Sequence, residues 1–367
     1  MGNAETKSCE ILYRPKDEKY AESIRLYQGC PTIAITPRGR IYVAWYAGGT
    51  NEPHIENYNL LVYSDDDGKT WSEHLLVIPS CEERLVHALD IQLWSDPDGK
   101  LHVFWVQNNV VPEPEVMPPH APDQPQVSRD GYLFNDFHHS MWEIICENPD
   151  DENPVFSEPK RLDMGFLRCK PTALSSGRWI YFNYDQIDER YAYSISDDGG
   201  KTLSRRYACK KITTAFDEAM AYEKKNGEIR VFARARASVG EIVEFSSFDN
   251  AESFTEAKPS GIVCPDTRFF VSRTPSGRVL LVKNDDNEKR INMTACLSDD
   301  DGETWNHSLL IDTRWTTYPD VDFYNGNIYL VYDSERTKAR EILFVKLTED
   351  DIISGTKDIT PSIISKP

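Results

Sequence analysis

Several stretches of this sequence carry side chains that can do chemistry. In FDEAMAYEKKNGEIRVFAR, Glu218 opens a strand–turn–strand pattern and Arg234 closes it. Antiparallel pairing would set the two side by side. Arg290 in RINMTACLSDDDGETW and Tyr318 in TTYPDVDF lead into later strands. A guanidinium fork grips a carboxylate at two points. A phenol titrates near ~10 when unperturbed, so Tyr318 would need a base and a cation beside it to react at neutral pH. Glu52, His54 and Glu56 in GGTNEPHIENYN, and His87 and Asp90 in HALDIQLW, add groups able to move protons. Lys170 stands just before Pro171, where another strand begins, and His138 and His139 lie in NDFHHSMW. Each residue also has a structural reading. Glu218 could be a solvated strand end, and the arginines could be partners of the chain's many acids. Tyr318 could pack between sheets, with Pro319 biasing its backbone to β or polyproline geometry.

The composition narrows the partners. The 367 residues carry 41 Lys and Arg against 60 Asp and Glu, a net charge of −19. That balance disfavours nucleic acid and anionic membrane surfaces, which would be repelled. No apolar run approaches the ~18 residues of a membrane helix. The 8 cysteines are scattered without a CxxC pair, so neither a metal site nor a disulfide framework is expected, and no cofactor is implied. MGNAETKSCE has no apolar core of a secretory signal, which gives a cytoplasmic expectation.

The elements that must position these residues come from repeats. An octapeptide, Ser-x-Asp-x-Gly-x-Thr-Trp, runs from Ser64 to Trp71 and again from Ser298 to Trp305. A copy at Ser196–Leu203 ends in Leu, and one at Ser247–Phe254 is decayed but in phase. A distant relative lies at Asn148–Phe156. In such a box the Asp and hydroxyl groups bond turn amides, Gly takes a positive φ and the aromatic ring plugs between sheets. Between boxes runs a second repeat, strand–turn–strand, with turn glycines at Gly39, Gly99, Gly177, Gly227, Gly277 and Gly326. The pattern predicts an all-β chain, a six-bladed β-propeller with Asp-box hairpins spanning 1–367 as one domain. Residues 110–135, rich in proline and acids, read as a long loop inserted in the second blade, not a strand pair. Such a loop could shape the mouth of a central cleft or be a surface excursion. An N-terminal strand near Cys9–Arg14 is expected to complete the last blade, which lacks a box.

Repeated Asp boxes on six blades resemble the sialidase (neuraminidase) superfamily, with its bacterial BNR-repeat proteins, over nearly the whole chain. The resemblance implies an exo-acting glycoside hydrolase that releases a terminal acidic sugar, such as sialic acid, from a glycan with retention. It assigns Tyr318 as nucleophile, Glu218 as its base, and Arg234 and Arg290 to the sugar carboxylate. A neutral hydroxyl suits an anomeric carbon that bears a carboxylate, since a second carboxylate would approach against like charge. The general acid belongs to the loop before the first box: Glu56 by register, with Glu52 and His54 as alternatives. Asp90, His54 and Lys170 are placed in binding. The family's first arginine, in Arg-Ile-Pro, has Gly29 in its place in Gln28-Gly29-Cys30-Pro31. Arg25, four residues upstream, is the expected substitute, with Arg236 and Arg84 behind it. Two other functions remain open. One is a carbohydrate-binding propeller without catalysis. The other is a neutral-sugar or uronate glycosidase or lyase using histidine near His87 or His138.

Overall fold

The computed structural model describes residues 4–117, 127–134, 139–212 and 216–367. Among these, six antiparallel sheets of four or five strands follow one another along the chain. Their first strands are Tyr27–Ile35, Val86–Ser95, Thr172–Ala173, Ala219–Glu223, Phe270–Arg273 and Thr316–Tyr324. First strands of neighbouring sheets pack side by side from Thr172–Ala173 round to Thr316–Tyr324, which packs against Tyr27–Ile35, and that strand against Val86–Ser95; Phe166–Leu167, paired with Asn183–Tyr184, contacts Val86–Ser95 and closes the ring. Asp320 makes the seam: its carboxylate accepts from Thr32 Oγ1 at 2.7 Å and from the Ile33 amide at 2.9 Å. The protein is an all-β propeller, and most of its core lies between facing sheets.

Each Asp box forms the turn between the third and fourth strands of its sheet. In the first, Ser64 Oγ accepts from the Gly68 amide at 3.0 Å, and Asp66 accepts from the Thr70 amide at 2.9 Å and from the Thr70 hydroxyl at 2.7 Å. The copies at Ser196, Ser247 and Ser298 repeat this pattern. The closing apolar residue plugs against the preceding sheet: Trp71 on Phe344, Phe254 on Tyr193 and Trp305 on Phe232, at 5.5, 5.1 and 6.5 Å between rings. The last sheet has, in the same connection, a short helix at Glu349–Ser354 capped reciprocally by Thr348 and Asp351.

These boxes tie sheets together, which gives a stability prediction. Gly302 and Gly227 have nearly the same backbone, φ +84° and +85°. A Cβ on Gly227 meets open space, whereas one on Gly302 collides with the buried hydroxyl of Tyr222 in the preceding sheet. Gly227→Ala should cost about 1 kcal/mol, from left-handed strain alone. Gly302→Ala should cost a further ~1–3 kcal/mol of overpacking. Equal shifts of the two denaturation midpoints would remove the box–Tyr222 contact as a stabilising joint.

Two sequence expectations are corrected. The N-terminal strand, Leu12–Tyr13, does not complete the last sheet; it pairs with Leu76–Pro79 on the outer edge of the first. The last sheet takes its fourth strand from the C-terminus, Ser362–Ser365. The insertion is not wholly loop: Val111–Pro112, Val127–Arg129 and Tyr132–Phe134 form a small antiparallel sheet. Its proline-rich residues 118–126, and 135–138, lie outside the described residues.

Candidate active site

Three first strands break their register with a bulge, at Gly29/Thr32, Leu89/Gln92 and Thr317/Asp320. The bulged residues Cys30, Asp90 and Tyr318 have φ of +58°, +59° and +55°. Tyr318 is therefore left-handed rather than β or polyproline, despite Pro319. Arg268 holds that turn by donating to the carbonyls of Tyr318 and Pro319 at 3.3 and 3.2 Å. Left-handed backbone at a non-glycine costs ~1–2 kcal/mol, and bulges of this kind re-aim side chains next to functional sites. Here they bring Asp90 and Tyr318 into one cavity of about 360 Å³.

Within it, the Tyr318 hydroxyl donates to Glu218 Oε1 at 2.5 Å. Arg234 Nη1 donates to Glu218 Oε2 at 2.8 Å and to the Tyr318 hydroxyl at 3.1 Å. Its Nε donates to Asp266 at 2.7 Å. Arg168 pairs with Asp90 and lies 3.5 Å from Glu218. Arg290 donates to the Asp266 carbonyl at 2.7 Å and, among the described residues, forms no salt bridge. The guanidinium of Arg336 stacks 4.3 Å above the Tyr318 ring, with Arg168 and Arg268 at 4.9 and 5.0 Å. The other wall is apolar: Leu89, Phe134, Phe166, Tyr184 and Phe216. Val127 and Phe134 bring the insertion's small sheet to this wall.

The charges explain the protonation of the central pair. Burial would raise the Glu218 carboxyl, but Arg234, Arg168 and the Tyr318 bond outweigh it and hold it at about 2. Burial, together with the Glu218 charge, pushes the Tyr318 phenol up to about 12 against the pull of Arg234 and Arg168. At neutral pH the pair is thus a carboxylate and a neutral phenol. Burial raises Asp90 to about 7, opposed by Arg168. Burial also lowers His87 to about 4, keeping it neutral.

The structure brings together Tyr318, Glu218, Arg234, Arg290 and Asp90, and separates the others. The Glu56 side chain is 74% exposed and does not face the cavity. The loop turns so that Glu52 enters instead, accepting from Tyr27 Oη at 2.7 Å and Arg336 Nη1 at 3.2 Å. His54 is buried beneath that loop, 2.8 Å from Asp130 of the insertion, and does not line the cavity. Arg25 is spent on structure, donating to Tyr58 Oη at 3.1 Å and to Ser365 Oγ at 3.0 Å on the C-terminal strand. Lys170 lines a different cavity, bonded to the Val321 carbonyl at 2.6 Å near Asp320. Arg84 binds the N-terminal segment through the Ser8 carbonyl. His87 and His139 line the cavity, and His138 lies outside the described residues.

Sequence reasoning missed Arg168, Arg268 and Arg336. A signal for two of them exists: Arg168, Glu218, Arg268 and Tyr318 stand 50 residues apart, each at the inner end of a successive blade. Extending the phase of Glu218 and Tyr318 would have found the arginines. Nothing comparable marks Arg336, which lies in the turn between Asn327–Ser334 and Glu341–Thr348.

The fold and this cavity define an Asp-box propeller with a Tyr–Glu–Arg cluster at the ends of its first strands. The chain belongs to the BNR repeat-like domain family, whose pattern matches residues 39–330. Solved structures share the fold. The NanB sialidase of Streptococcus pneumoniae aligns with TM-score 0.68 at 16% identity, over 95% of this chain and 71% of its own. An intramolecular trans-sialidase of Ruminococcus gnavus aligns with TM-score 0.66 at 14% identity, over 94% and 98%. The leech intramolecular trans-sialidase gives 0.68 at 15%, over 95% and 71%. The scaffold is thus sialidase-like; at these identities the likeness carries the fold alone. No curated protein sequence matches the chain.

Proposed function

We propose that this protein is a retaining exo-glycoside hydrolase that releases a terminal acidic sugar, sialic acid or a relative, from a glycan. The observation that carries this is the Tyr318 hydroxyl, 2.5 Å from the buried Glu218 carboxylate and capped by Arg234. Tyr318 Oη attacks the anomeric carbon and passes its proton to Glu218. The bond to the leaving oxygen breaks, and that oxygen takes a proton from the general acid. Water then cleaves the tyrosyl–sugar bond, with the proton movements reversed. Because Glu218 is a weak base and the phenol a weak acid, the proton moves only as the new bond forms. Arg234, Arg168 and Arg336 stabilise the phenolate character that develops. Arg290, with no carboxylate partner of its own among the described residues, and Arg234 meet the sugar's carboxylate.

Glu52 takes the acid role proposed above for Glu56. It lines the cavity with a side chain 27% exposed, able to meet a leaving group that departs toward solvent, whereas Asp90 is buried against Arg168. Glu52→Gln should lower turnover of a natural glycoside by ~10²–10⁴-fold. An aryl glycoside whose phenolate leaves unaided should lose far less. Equal losses on both substrates would take the acid role from Glu52.

Fluorophore release from an aryl α-sialoside, with Glu218→Gln as control, tests the whole reading. Turnover abolished in the variant supports it. If the native protein binds the sugar yet releases nothing, the propeller is a carbohydrate-binding module; activity restricted to neutral glycosides would point to the other glycosidase reading.

A further inference from the structure

Gly29 is where the family resemblance leaves an arginine missing, and its surroundings explain why no side chain stands there. Its φ is outside the left-handed region, so its backbone does not require glycine. A Cβ at this position would fall 2.8 Å from each of Cγ, Cδ and Nε of Arg336. The space that a side chain on residue 29 would use is filled by an arginine from the opposite end of the chain. Arg336 is firmly placed. Its Nε donates to Asp333 at 3.1 Å, Nη2 to Thr317 Oγ1 at 3.0 Å and Nη1 to Glu52 at 3.2 Å. Its main-chain carbonyl accepts from the Gln28 amide at 3.1 Å, which ties the turn to the first strand beside Gly29. Each terminal nitrogen of the guanidinium keeps a second N–H, and the side chain lines the same cavity as Arg234 and Arg290. The three cations sense one another: after burial and the opposing pull of Tyr318, the charges of Arg234 and Arg336 act to lower the Arg290 guanidinium. Converging cations of this kind are relieved by an anion between them.

We propose that Arg336 grips the carboxylate of the substrate together with Arg234 and Arg290, in the place left open by Gly29, and that Gly29 lacks a side chain in order to admit it. This rests on the acidic-sugar reading above. Carboxylate recognition is thereby relocated from the first blade to the last. It depends on the seam between them, since Arg336 is anchored in the sixth sheet and seated against the first.

The test compares binding of free N-acetylneuraminic acid with binding of its carboxamide, measured by calorimetry on the full chain. The native protein should prefer the acid. Arg336→Met should reduce that preference on the order of 10-fold or more, with the carboxamide's affinity little changed. Gly29→Ala, which removes no ligand contact, should weaken the acid in the same direction by pushing Arg336 aside. Thermal unfolding confirms that each variant is folded, and the neutral, polar Arg336→Gln serves should the Met variant fail to fold. The exchange Gly29→Arg with Arg336→Gly should restore part of the preference. A folded Arg336 variant with the full native preference overturns the relocation and leaves the acidic-sugar reading standing. A native protein that binds the carboxamide as tightly as the acid overturns both.

Discussion

Tyr318→Phe should reduce turnover on the order of 10⁴-fold or more while the sugar still binds. The change removes one oxygen, the atom proposed to form the covalent bond, and leaves the ring on which Arg336 stacks. Glu218 keeps Arg234 at 2.8 Å and Arg168 at 3.5 Å, so its charge stays compensated. The stability change should be about 1–3 kcal/mol, from the lost hydrogen bonds to Glu218 and Arg234, which stay paired with each other. Steady-state kinetics on an aryl α-sialoside with a matched binding measurement decides it. A variant within ten-fold of native kcat would remove Tyr318 as nucleophile and turn attention to His87 and His139 on the same cavity. Nucleophile losses of this size are known from other covalent enzymes, where the residual rate comes from binding and electrostatics.

Arg234→Met should have the largest effect on stability, about 3–5 kcal/mol at neutral pH. The guanidinium is buried between Glu218, Asp266 and Tyr318, and deleting it leaves the buried Glu218 carboxylate with the longer ion pair to Arg168 at 3.5 Å alone. The pH dependence distinguishes this from simple loss of packing. Glu218 is held at about 2, below its ordinary 4.5. Its stabilising contribution is fully present above pH ~4.5 and is lost as pH falls toward ~2. Without Arg234, Arg168 and the Tyr318 bond oppose burial less completely, so the Glu218 carboxyl rises from about 2 and the variant is relieved by protonation before the native protein is. The deficit should therefore shrink as pH falls from 7 toward ~2 in urea denaturation. A deficit of the same size across that range would mean that charge compensation is not what Arg234 supplies. Turnover should also fall, because the base and the phenol lose their shared donor.

The sequence by itself determined the repeating architecture and the phase of the site. Asp-box bonds join residues at most four apart, as from Ser64 to Gly68 and from Asp66 to Thr70, so their chemistry is legible wherever the letters occur. Strand–turn–strand units of nearly constant length then place one residue per blade at the inner end, and the resemblance to the sialidase pattern is what singled out Glu218 and Tyr318 among them. Arg168 and Arg268 lay in the same register and were overlooked because they were not sought in phase. Tertiary structure decided what depends on side-chain direction and on contacts across the seam. A loop rotation puts Glu52 rather than Glu56 in the cavity, and no local pattern distinguishes the two. Three bulges turn Cys30, Asp90 and Tyr318 to positive φ, in Cys30 and Tyr318 against the preference of a residue before proline. Leu12–Tyr13 chose the edge of the first sheet over the last, a choice among edges that look alike in sequence. Arg336 reaches the space above Gly29 only because the ring closes, bringing the two ends of the chain into contact; pairings of that range are set by the packing of whole sheets, and a linear reading has no coordinate for them.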